Sequence, residues 1–133
     1  MSIRAVKNAF LERIREDKTL YGIVFEGTVT DRPTRYVAVH TDSGFRESER
    51  FTGPQSTSTQ TFIVHSVGAT VDKALEVSER VQAQVIDYVL SVPGRNCRRI
   101  RHESSQPTQL DQDISPELYY CVDEFAVTTS PNI

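Results

Sequence analysis

The sequence predicts an α+β domain: a mainly antiparallel sheet with two helices packed on one face and a long protruding loop or hairpin. Two amphipathic stretches of helical spacing and several runs rich in β-branched and aromatic residues carry that prediction. Their order, with strands following each helix, is that of a two-layer fold. A chain of 133 residues, 38% apolar and 25% charged, fits one such domain over 1–133.

The first helix is expected over residues 2–16, where Ile3, Val6, Phe10 and Ile14 recur at helical steps and Ser2 is available as a cap. Leu20 to Val29 reads as a strand, interrupted by Gly22 and Gly27 and closed by a turn at Asp31-Arg32-Pro33-Thr34. Arg35 to Thr41 is the next strand. Its Tyr36-Val37-Ala38-Val39 centre is too apolar for an exposed edge unless a partner covers it, which points to self-association. Residues 42–58 follow as the long loop or hairpin, with Gly44, Gly53, Pro54, the charged residues Arg46, Glu47, Glu49 and Arg50, and two phenylalanines. Loops of that length are uncommon inside compact domains and often functional.

Thr59 to Val67 is strand-like, with Phe62 and Val64 on one face and Ile63, His65 and Val67 on the other, and Gly68 ends it. The best-specified element is a helix from Thr70 to Leu90. Val71, Ala74, Leu75, Ser78, Val81, Val85, Tyr88 and Val89 form its expected buried stripe, with Thr70 as cap and Pro93-Gly94 as stop. Asn96 to His102 reads as a basic strand, Glu103 to Ser115 as a polar linker, and Leu118 to Thr128 as the last strand. In that strand Tyr119, Cys121, Phe125 and Val127 share a face with Asp123.

Most chemical classes find no support. No run approaches 18 apolar residues, and Glu12 and Arg13 interrupt any signal-like core, so neither a membrane span nor a cleaved export signal is expected. His40, His65 and His102 lack ligand spacing, and Asp111-Gln112-Asp113 lacks the glycine and further oxygens of a calcium loop. Cys97 and Cys121 read as reduced, packed thiols. There is no GxSxG, Walker A loop or GxGxxG, so neither an enzyme nor a bound cofactor or metal is expected. A net charge of −3 and the lack of aromatic residues beside the basic segment speak against nucleic-acid binding.

What remains is uneven charge. Arg95, Arg98, Arg99 and Arg101 fall within seven residues, whereas every formally charged residue after His102 is acidic: Glu103, Asp111, Asp113, Glu117, Asp123 and Glu124. These groups either pair within one chain or face water, or a basic patch on one subunit meets an acidic patch on the next. Exposure and charge single out Phe45, Arg46, Glu47, Arg50 and Phe51 in the loop, and Arg95, Arg98, Arg99 and Arg101 against the acidic C-terminal half, as subunit or partner contacts.

Tyr36-Val37-Ala38-Val39, Gly44, the run Arg50 to Gln55, the run Phe62 to Ala69 and the long helix together resemble the tail-terminator (tail-completion) proteins of long-tailed bacteriophages. The closing segments Leu110 to Pro116 and Leu118 to Phe125 are similar to the C-terminal strand of such proteins from phages of actinobacteria. The resemblance covers about residues 20 to 128. It implies a virion protein of the tail or neck, made in the host cytoplasm, that forms a ring, commonly of six copies. Such a ring caps the tail tube protein and offers a docking face to the head–tail connector proteins, with DNA only as cargo through its lumen. Other neck proteins, such as head-completion or connector-adaptor subunits, share this size and fold class.

Overall fold

A computed structural model describes residues 3–27, 34–42, 45–48, 56–111 and 118–131. Over these residues the chain forms helix α1 (Ile3–Arg15), strands β1 (Val24–Glu26), β2 (Tyr36–Thr41), β3 (Phe45–Ser48) and β4 (Ser56–Gly68), helix α2 (Val71–Val85), and strands β5 (Arg95–Cys97), β6 (Arg101–Ser105), β7 (Gln109–Asp111) and β8 (Leu118–Pro131). All eight strands join one sheet, antiparallel except for β1 with β2. The expected α+β class holds, with both helices on one sheet face.

Two long strands make the sheet. β4 and β8 run antiparallel from Ser58 opposite Thr129 to Gly68 opposite Tyr119. The free edge of β4 takes β2 and β3 in succession, and the free edge of β8 takes β5, β6 and β7. Alternation along these strands turns Val37, Val39, Phe62, Val64, Phe125 and Val127 toward the helices, where Phe10 and Ile14 of α1 and Val77, Val81 and Val85 of α2 meet them. Phe10 stacks on Phe62 with ring centroids 4.1 Å apart, so α1 lies over the centre of the sheet.

Several expected elements change their bounds. Leu20 does not begin a strand. Its amide donates to the Asp17 carbonyl and its carbonyl accepts from the Ile23 amide, so it joins two successive turns, and its side chain enters the core. Only Val24–Glu26 pairs, and it pairs with β2 in parallel, Val24 opposite Val37. The turn expected at Asp31 to Thr34 falls largely outside the described residues. β2 is consequently an interior strand. Tyr36 and Ala38 pack with Val67 and Leu118 on the helix-free face, so the apolar run that suggested self-association is covered within the chain.

The segment 42–58 takes the hairpin alternative. β3 pairs with the start of β4 from Phe45 opposite Thr59 to Ser48 opposite Ser56, and the connecting residues 49–55 lie outside the described residues.

Helix α2 starts as expected, with the Thr70 hydroxyl accepting a 3.1 Å hydrogen bond from the Lys73 amide. It ends at Val85, five residues before the expected Leu90, because Ile86 turns extended and Asp87 takes a left-handed φ of 63°. Apolar spacing continues past this break for another reason. Leu90, Val92 and Ile100 face the same core from extended backbone, held by the Asp87 amide on the Ile100 carbonyl and the Ile100 amide on the Tyr88 carbonyl. Leu75 and Val71, expected on the buried stripe, are exposed, and Val77 takes their place. Arg13 secures the end of α2: its Nε donates to the Gln84 carbonyl at 2.6 Å, its guanidinium lies 3.7 Å from the Tyr88 ring centre, and Gln84 answers by donating to the Arg13 carbonyl.

The basic strand expected over Asn96–His102 is broken in two. The Arg98 amide still donates to the Thr128 carbonyl of β8 at 2.9 Å, but Arg99 and Ile100 turn to the Tyr88–Val89 segment, and Ile100 is buried. The expected polar linker in turn contains the end of β6 and all of β7.

Candidate functional site

Among the described residues the buried charged side chain is Asp123 on β8, which is fully buried. Its Oδ2 accepts from Ser78 Oγ of α2 at 2.7 Å, and its Oδ1 from Gln82 Nε2 at 3.3 Å and from His102 Nε2 of β6 at 3.1 Å. The His102 ring stacks on Phe125 at 5.0 Å. A serine, a histidine and an aspartate are thus together, but in an order unsuited to nucleophilic catalysis. The aspartate stands between the other two, the serine hydroxyl gives its hydrogen to a carboxylate, and the histidine does not reach it. The cluster fastens α2 to two strands. Sequence reading missed it, although an acid alternating with buried residues on β8 and a serine on the buried face of α2 were both visible.

The other titratable groups separate. His40 and His65 meet on the helix-free face, ring centroids 5.2 Å apart, with His65 stacked on Tyr120, whereas His102 lies on the helix side. Burial, and then the neighbouring His40, hold the His65 imidazole below its ordinary range. Among the described residues no three His, Cys, Asp or Glu side chains are placed to hold a metal ion. Asp111 is described, while Gln112 and Asp113 lie outside the described residues. Cys97 and Cys121 are free thiols; burial raises the Cys97 pKa against the opposing effects of Arg95 and a backbone hydrogen bond at Val92. No helix among the described residues is long and apolar enough to cross a membrane.

The residues singled out for contact fall into three groups. The backbone of Phe45, Arg46 and Glu47 lies on β3, and Arg50 and Phe51 lie outside the described residues. Arg95 and Arg101 are engaged within the chain. Arg95 donates through Nε and Nη2 to the Thr129 hydroxyl, at 3.1 and 2.8 Å, and so ties β5 to β8, while Arg101 pairs with Glu103 at 3.2 Å. Arg98 and Arg99 are exposed, and among the described residues neither has an ion-pair partner.

The C-terminal acids are largely occupied too. Asp123 is buried, Glu103 holds Arg101, Glu124 accepts from the Ser104 hydroxyl, and Asp113 and Glu117 lie outside the described residues. Exposed acids without an ion-pair partner among the described residues occur instead on α2, at Asp72 and Glu79, beside the exposed apolar side chains of Val71 and Leu75.

The described residues thus form one sheet under two helices, with α2 fastened to the sheet by the buried Ser78–Asp123–His102 cluster. No protein-family model matches the sequence, and among curated proteins none is significantly similar to it. Solved structures do share the fold. A chain from the virion of a native gene transfer agent particle superposes with a TM-score of 0.70 at 12% identity, over 97% of this chain and 98% of that one. Another solved protein superposes with a TM-score of 0.62 at 16% identity, over 97% of this chain and 96% of its own. At these identities the likeness is one of fold.

Proposed function

We propose that this protein is a structural component of a phage or phage-like virion, a tail terminator whose copies, six in the expected ring, cap the tail tube and join it to the head connector. The observation that carries this reading is the end-to-end superposition on a chain of a gene transfer agent virion, with neither chain leaving a substantial part unmatched. Chemistry of the described residues agrees with it. The one serine–histidine–aspartate cluster is ordered for holding a helix, and the unpartnered charges lie outside, where neighbouring subunits would meet them.

The deciding experiment is to delete the coding sequence and complement it. Tail termination requires that particles without the protein accumulate filled heads beside unjoined or overlong tails in electron micrographs. Tails of normal length on heads that leak DNA would instead assign the chain to head completion. Absence of the chain from purified particles removes the proposal altogether.

A further inference from the structure

Helix α2 carries a surface stripe that no other described residue covers. Val71, Leu75 and Glu79 follow at four-residue steps, with Asp72 beside them. Leu75 is 50% exposed. At 3.6 residues per turn Lys73 lies about 160° around the helix from Leu75, on the flank where Arg80 pairs with Asp17 and Glu76. The stripe is therefore apolar and acidic, with its basic neighbours turned away.

Past the other end of the same helix lies its chemical complement. Val89 is 49% exposed and bridges to Arg99, with Arg98 next along the chain. This patch is apolar and carries two exposed arginines against one exposed acid, Asp87. From Leu75 to Val85 about 15 Å of rigid helix stands between the apolar members of the two patches, and no ion pair joins Asp72 or Glu79 to Arg98 or Arg99 among the described residues.

We infer that copies of this chain join end to end through α2, with Leu75 between Asp72 and Glu79 of one copy seated on Val89, Arg98 and Arg99 of the next. This rests on the ring proposed above and gives it a specific joint. A second copy is the occupant because each patch supplies what the other lacks, apolar surface with opposite charge. A nucleic acid would be drawn to the arginines but repelled by the acidic stripe. Exposed ion pairs alone contribute little, so burial of Leu75 against Val89 supplies attraction and the charges set register and direction. Unlike patches on one molecule propagate head to tail, and such a contact closes when the rotation per subunit divides a full turn.

The test uses charge exchange and cross-linking on the full chain. Arg98→Glu/Arg99→Glu and Asp72→Lys/Glu79→Lys should each raise the concentration needed for self-association by about tenfold or more, since like charges then face each other. An equimolar mixture of the two should restore it, because each variant now carries the complement of the other. Both variants assembling as the parent does overturns the joint. With Leu75→Cys/Val89→Cys, oxidation at high protein concentration should give a ladder of dimer, trimer and higher species above the background of the native thiols. No ladder, or one that stops at a dimer, rejects the head-to-tail contact. A ring by native mass without this linkage removes the joint and leaves the proposed function standing. A full ladder from a chain missing from virions keeps the joint and removes the function.

Discussion

The Ser78 hydroxyl donates a 2.7 Å hydrogen bond to Oδ2 of Asp123, a carboxylate with no exposed surface. The buried contacts between α2 and the sheet are otherwise mostly apolar, and such contacts fix distance better than they fix position along the strand. Three directional bonds from Ser78, Gln82 and His102 set that position for α2 and β6 together.

Removing the carboxylate should therefore be far more damaging than removing one donor. Asp123→Leu strands three polar groups, and a loss of about 3 kcal/mol or more is expected, against about 1–2 kcal/mol for Ser78→Ala. Urea unfolding of the two variants measures both. Equal small losses, each under about 0.5 kcal/mol, would show that the cluster is not a clamp.

Gly68 makes the second prediction. A Cβ built there would lie 2.5 Å from the Ala74 amide nitrogen and 2.7 Å from the Lys73 carbonyl carbon, both backbone atoms of the first turns of α2. Neither can move without shifting the helix. Gly68→Ala should cost about 1–3 kcal/mol, an overpacking effect, and lower the melting temperature by several degrees. At Gly22, where a Cβ meets nothing within 4 Å, the same change should leave stability nearly unaltered.

The His65 imidazole gives a pH dependence of defined sign. Its folded-state pKa lies below the unfolded value, first through burial and then through His40, so between the two values the unfolded chain binds more protons. Its contribution to stability is complete above the unfolded pKa of about 6.5 and is lost as pH falls through the folded pKa. Melting temperatures between pH 7.5 and 5.5 should fall for the parent and fall less for His65→Gln. Parallel curves for the two proteins would assign the acid sensitivity elsewhere.

How far the sequence reaches is clear element by element. Phe62 and Val64 alternating with Ile63 and His65 identify β4, and Thr70 marks the start of α2, because those signals are local. The parallel pairing of β1 is not local. It depends on the path of the chain between Gly27 and β2, and no residue type in Val24–Glu26 specifies direction. The end of α2 was hidden because Leu90 prolongs the helical spacing although it reaches the core from extended backbone. The end of β6 and all of β7 were illegible as strands since, as edge strands along β8 with mostly exposed side chains, they carry no apolar alternation. Of the candidate contacts, an arginine count could not separate Arg95, spent on Thr129, from Arg98 and Arg99, because that division depends on which side chains meet β8.

The hairpin β3–β4 separates folding from function most directly. β3 pairs along one side with β4 alone among the described strands, while the large rings that fill the core are Phe10, Phe62 and Phe125. A hairpin arm attached by one ladder contributes little to a core of that kind. Replacing Phe45 and Phe51 by Ser should leave the melting temperature within a few degrees, as surface substitutions usually cost under about 0.5 kcal/mol. The same protein should fail to complement a phage or gene transfer agent lacking it, leaving heads and tails unjoined. If the double variant unfolds, the two rings belong to the core. If it folds and yields normal particles, the hairpin makes no contact that assembly needs, and the joint through α2 must carry subunit association without it.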